Sequence, residues 1–200
     1  MNEKQALSHI AASFHESREL GLEVVRSCGP AIVEAAQAVA SCLRSGGKTL
    51  FCGNGGSAAD SQHLAAEFVG HFILDRRALP AMALTTDSSI LTAVGNDYGF
   101  EQVFSRQIEA LGRPGDVAIG ISTSGQSANV IAAMRTARKL GLKTIAFTGK
   151  DGGALAACVD ISIVVRSANT ARIQECHIII GHLICELAEK DLLAGEPAMK

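Results

Sequence analysis

The stretch FCGNGGSAADSQHLAAEF, Phe51 to Phe68, passes from a short apolar run through a glycine-rich turn into a segment of helical period. A buried strand that turns tightly into a helix is the opening half of a parallel β-α-β unit. Two chemical signals overlap on it. Gly53 to Ala58 reads as a cradle for an anion, because backbone N–H groups at a helix start carry no intrahelical partner. His63 and Glu67 follow at i,i+4, about 40° apart on one helical face, where they suit a metal or a proton-transfer pair.

Working outward, Thr49–Cys52 is the first of five short apolar runs. The others are Ala81–Leu84, Val117–Ile121, Thr144–Phe147 and Ile161–Val165. Segments of helical period lie between and after them, at 57–74, 87–111, 126–141, 150–158 and 169–193. Short buried strands alternating with helices predict an α/β fold: a doubly wound, flavodoxin-like five-stranded parallel sheet flanked by helices. Two more helical patterns, 3–27 and 31–45, precede the first strand, with Gly29-Pro30 as the expected break. They could cover the sheet or pack against another copy of the chain; a single α/β sandwich does not need both, so residues 1–45 are expected in an oligomer interface. Residues 1–200 read as one domain, with GEPAMK as a frayed tail.

The composition is that of an ordinary globular chain: 200 residues, 48% hydrophobic, 19% charged and a net charge of −2. The charge is too small for a nucleic-acid partner, and aromatics for base stacking are scarce. No apolar stretch approaches membrane-spanning length, and the N-terminus lacks the apolar core of a secretory signal. Cys28, Cys42, Cys52, Cys158, Cys176 and Cys185 form no C-x-x-C pair and read as buried reduced thiols in a cytoplasmic protein.

In open parallel sheets, ligands bind at the carboxyl ends of the strands. The loops expected there are GNGGS (53–57), TTDSS (85–89), STSGQS (122–127) and TGKDGG (148–153). STSGQS places Ser122, Thr123, Ser124 and Ser127 before a helical pattern. Capping needs one hydroxyl; four exceed that need and suit a phosphate. No G-x-x-x-x-G-K-[ST] is present, which argues against an ATP-type loop. Gly53-x-Gly55-x-x-Ala58 satisfies the dinucleotide fingerprint in letters, but no acid closes the second strand at the required distance. A sugar or phosphate cradle and a purely structural tight turn fit the same residues.

The final helical segment offers Arg172, Gln174, His177 and His182. Gln174, Ile178 and His182 form an i,i+4,i+8 ladder, while His177 lies about 140° from His182, so one site takes one histidine. Spacing does not say which. Gly95-Asn96-Asp97 reads as a turn by composition.

Taken together, CGNGGSAADSQH, VGNDYGFEQVFSRQIEALGRPGDV, GISTSGQSANVI, TGKDGG and RIQECHIIIGH resemble the sedoheptulose 7-phosphate (phosphoheptose) isomerase family, of the sugar-isomerase (SIS) fold. The resemblance runs from about the first helix to residue 192. It implies an aldose–ketose isomerase, a homotetramer in the cytoplasm, one zinc ion per subunit, and a role in heptose precursor synthesis. It implies zinc ligation by His63, Glu67, Gln174 and His182, with Glu67 and His182 as the proton-transfer pair. It implies substrate contacts from Asn54, Gly55, Gly56, Ser57, Glu67, Asn96, Asp97, Ser122, Thr123, Ser124, Ser127 and Gln174. Ala171 stands where some family members carry an aspartate. The alternative class is a non-catalytic SIS-fold protein that binds a sugar phosphate or a replication initiator; such relatives lack the glutamate and second histidine of the metal set, and this chain has both.

Overall fold

Five strands stand side by side in the order β2-β1-β3-β4-β5, all parallel. They are β1 (Thr49–Gly53), β2 (Ala81–Ala83), β3 (Val117–Ser122), β4 (Lys143–Gly149) and β5 (Ile161–Val165). The computed structural model describes residues 1–194, so the expected tail at 195–200 lies outside the described residues. The helices are α1 (Glu3–Arg44), α2 (Gly56–Val69), α3 (Ser88–Tyr98), α4 (Ser105–Leu111), α5 (Ala128–Lys139), α6 (Gly153–Ala156) and α7 (Thr170–Leu193).

Successive side chains of a strand point to opposite faces. Phe51, Ile119, Ile145, Phe147 and Ile163 join α1, α2 and α7 in one core. Leu50, Cys52, Ala118 and Ala146 join α4 and α5 in the other. Both faces are therefore covered, and the strands are continuously apolar rather than alternating. The register aligns Gly53 with Ile121 and Ser122 with Thr148, so β1, β3 and β4 deliver their loops to one edge. The order reverses beside β1, which places the glycine turn and the hydroxyl loop on either side of the switch point.

Three expectations are corrected. The N-terminal segment is one helix of 42 residues that runs through Pro30. Proline removes one helical hydrogen bond, to the Arg26 carbonyl, but Pro30 is exposed and water can meet that carbonyl. Buried Val24, Cys28, Ile32, Ala36 and Ala40 recur every fourth residue across the proline and hold the helix to α7 and the sheet. The 87–111 pattern is broken at Gly99 into α3, a short 3-10 turn at Phe100–Gln102, and α4. Gly95, Asn96 and Asp97 lie inside α3 instead of forming a turn. Each costs a helix about 1 kcal/mol or less. Asp87 offsets part of that by capping the Ile90 N–H at 2.9 Å.

Candidate active site

The glycine turn leads straight into α2. A Cβ at Gly56 would overlap the Gln174 side-chain amide of α7, so Gln174 sits directly against the turn and a larger residue at 56 would have to displace it. Asn54 exchanges two side-chain hydrogen bonds with Asn129 of α5, at 2.9 and 2.8 Å. The turn after β1 is thereby tied to the first turn of α5. Asn54, which the resemblance implied as a substrate contact, makes this bridge with its side-chain amide. Asn129 is fully buried, and nothing in its spacing announced it.

The hydroxyl loop follows β3. Ser127 is the N-cap residue of α5, yet its side chain makes no capping bond. Its hydroxyl lies 2.8 Å from that of Ser122, which is 3.4 Å from that of Ser124. The Ser124 hydroxyl accepts from the Gln126 N–H at 3.1 Å, a bond within the loop. Gly125 has φ +64°, and a Cβ there would overlap the Gly152 carbonyl. The loop thus closes tightly on the turn after β4. Three of its four hydroxyls converge before a helix start, an arrangement that favours an anion.

The α2 and α7 helices bring the titratable groups together. The Nε2 atoms of His63 and His182 are 2.8 Å apart, and the Glu67 carboxylate is 3.3 Å from His63 Nε2. Ligand atoms of His63, Glu67 and His182 all lie within 4.8 Å of one another. Two imidazole nitrogens and a carboxylate, half-open to solvent, form a donor set that suits zinc with an open position.

His177 points the other way. It is fully buried and bonds the Thr148 carbonyl at 2.9 Å through Nε2. Burial pushes its pKa down to about 4, against a smaller opposing effect of that hydrogen bond. The choice between the two histidines, open on spacing, is thus decided by burial.

Asp60, one turn before His63, was not singled out from sequence. Its Oδ2 is buried without a hydrogen-bond partner. Burial raises its pKa, while His63 and His182 pull it down. Its signal was there to find: it continues the i,i+3 face that carries His63. Asn96 and Asp97 are not drawn into this cluster. Their side chains bond each other, at 2.7 Å, on exposed positions of α3.

A family model described as a SIS domain matches residues 14–149. A phosphoheptose isomerase of Roseiflexus sp. (strain RS-1) is 60% identical over 93% of this chain and 92% of its own. That of Aquifex aeolicus is 55% identical over 92% and 96%. This chain belongs to the phosphoheptose isomerase family. Among solved structures, the phosphoheptose isomerase of Neisseria gonorrhoeae superposes with a TM-score of 0.87 at 48% identity, covering 92% of this chain and 99% of that one. Membership of this family makes the protein an isomerase enzyme.

Proposed function

We propose that the protein interconverts sedoheptulose 7-phosphate and D-glycero-D-manno-heptose 7-phosphate, a first step toward nucleotide-activated heptose. The observation that carries this reading is the His63–Glu67–His182 cluster at the same end of the sheet as a hydroxyl loop whose N-cap serine is not used for capping. The substrate's phosphate docks on Ser122, Thr123, Ser124 and Ser127. Gly55, Gly56, Ser57 and Gln174 line the path to the reacting carbons. Binding energy from the distant phosphate then positions C1 and C2 against Glu67.

The chemistry moves one proton between neighbouring carbons. Glu67 takes the proton from C1 of the ketose, and the bonding pair becomes the C1–C2 double bond of an enediol. As the C2 carbonyl pair moves onto its oxygen, His182 gives that oxygen a proton and takes the proton of the C1 oxygen, so that the carbonyl re-forms at C1. Return of the carbon-bound proton to C2 completes the aldose. His63, Glu67, Gln174 and His182 would hold one zinc ion per subunit, which would polarise the carbonyl and favour the anionic intermediate.

The same reading includes a cytoplasmic homotetramer. Its support is apolar surface left bare by the fold: Leu7, Ile10 and Phe14 on α1, and Tyr98 and Phe100 beside Asn96 and Asp97, are all half or more exposed. Among the described residues no helix is long and apolar enough to cross a membrane.

The test is incubation with sedoheptulose 7-phosphate in deuterated water. Appearance of the aldose with deuterium at its reacting carbon is expected, and chelation is expected to abolish it. A phosphosugar that binds but neither isomerises nor exchanges would favour a regulatory binding protein instead.

A further inference from the structure

Behind the cluster lies a buried ion pair that the chemistry above does not use. Arg76 Nε is 2.7 Å from Glu189 Oε1, with side chains only 3% and 1% exposed. Replacing such a pair by well-packed apolar residues is often neutral or stabilising, so stability alone does not account for it. What the pair does have is direction, because every contact it makes is to a segment that borders the site.

Glu189 accepts three successive backbone N–H groups, from Phe72 at 3.2 Å and from Ile73 and Leu74 at 3.0 Å each. Burial alone would raise its pKa; these N–H groups and Arg76 outweigh burial and hold it below the usual range. Arg76 in turn donates to the carbonyls of Glu67 at 2.9 Å, Phe68 at 2.9 Å, Gly70 at 3.3 Å and Arg77 at 3.1 Å. Three of these are carbonyls at the end of α2, which lack helical partners and favour a cation. Glu189 follows His182 by seven residues, two turns along the same face of α7. The held loop returns Phe72 over His182, with the rings stacked at a centroid distance of 5.2 Å.

We propose that Arg76, Glu189 and Phe72 form a positioning clamp that fixes the His182 ring against Glu67. One ion pair grips the end of α2 just past Glu67 and the loop that carries Phe72, and Phe72 sets the plane of the His182 imidazole. None of the three touches the reacting atoms; all act through Glu67 and His182. The clamp rests on the reading of those two residues as the working pair.

The test compares Phe72→Leu, Phe72→Tyr, Glu189→Gln and Glu67→Gln in the full chain. Phe72→Leu keeps an apolar side chain and removes the stacked ring. It is expected to lower kcat tenfold or more, leave KM within about twofold, and weaken zinc binding about tenfold by chelator competition, the range seen when supports of metal ligands are removed. Phe72→Tyr is expected to restore all three. Glu189→Gln is expected to move kcat and zinc affinity in the same direction, and to lower the thermal midpoint. Should it fail to fold, the Phe72 pair decides. Wild-type kcat and zinc affinity in folded Phe72→Leu, with Glu67→Gln inactive, overturn the clamp and leave the site reading standing. An active Glu67→Gln overturns the site reading, and the clamp with it.

Discussion

At the scale of single residues, burial separates groups that look alike in the sequence. His177 and His182 are five positions apart, yet one is sealed in the core and the other meets His63 at 2.8 Å. Glu67 is the carboxylate beside that pair, 3.3 Å from His63 and within 4.8 Å of His182. Glu67→Gln keeps the shape and removes the base. Turnover of sedoheptulose 7-phosphate is expected to fall by at least ~10²-fold, the lower range for general acid–base groups, with an unchanged circular dichroism spectrum. Retained turnover would move the base elsewhere. His177 carries a separate expectation. Its folded pKa is about 4 against an ordinary 6.5, so the unfolded chain binds the extra proton between those values. The stability contributed by neutral His177 is present above pH 6.5 and is lost as pH falls toward 4, by up to ~3 kcal/mol. Urea midpoints measured across this window are expected to decline in the parent. They should decline less in His177→Gln, which keeps an N–H donor and does not titrate there.

At the scale of elements, the site is a meeting of two helices and two loops. α2 supplies His63 and Glu67, α7 supplies His182 and Gln174, and Asn54 joins the loop after β1 to Asn129 at the start of α5, which the hydroxyl loop leads into. Removing one side of that reciprocal amide pair leaves buried polar atoms unpaired, a cost of about 1–3 kcal/mol. Asn129→Ala is therefore expected to destabilise the fold and to raise KM for the sugar phosphate, because the hydroxyl loop loses its tie to the glycine turn. Calorimetry and steady-state kinetics check the two effects. A variant with lowered stability and unchanged KM would confine Asn129 to a structural role.

At the scale of the whole molecule, α1 is longer than its own domain requires. Its buried residues begin at Val24, and the preceding turns expose Leu7, Ile10 and Phe14 at 59%, 50% and 75%. Leu7 and Phe14 lie about 20° apart on the helix, so they share a face. An apolar stripe of this kind suits a second copy of the chain. Phe14→Glu is expected to shift the light-scattering mass from a tetramer to smaller species while helical content stays unchanged. A parent protein that already runs as a monomer would remove the basis for that expectation.

The five strands and their parallel class were legible because a buried parallel strand is an uninterrupted apolar run, as in Val117–Ile121. The glycine turn and the hydroxyl loop were legible because their residue types serve phosphate or backbone geometry at short range. Local signals also misled. Gly29-Pro30 did not end α1, because the buried face that packs on α7 and the sheet outweighs a proline cost of about 3 kcal/mol, and Gly95-Asn96-Asp97 did not form a turn, because helix continuation there costs little and the Asp87 cap offsets part of it. Spacing left His177 and His182 open and the family resemblance pointed to His182; the tertiary structure shows the physical difference, His177 being sealed in the core, and it alone joined Asn54 to Asn129 and set Arg76 on Glu189 across 113 residues of chain. Partners that far apart leave no periodicity to read. Their pairing follows from which helix faces meet once the sheet has formed, and that is decided by burial summed over the whole chain.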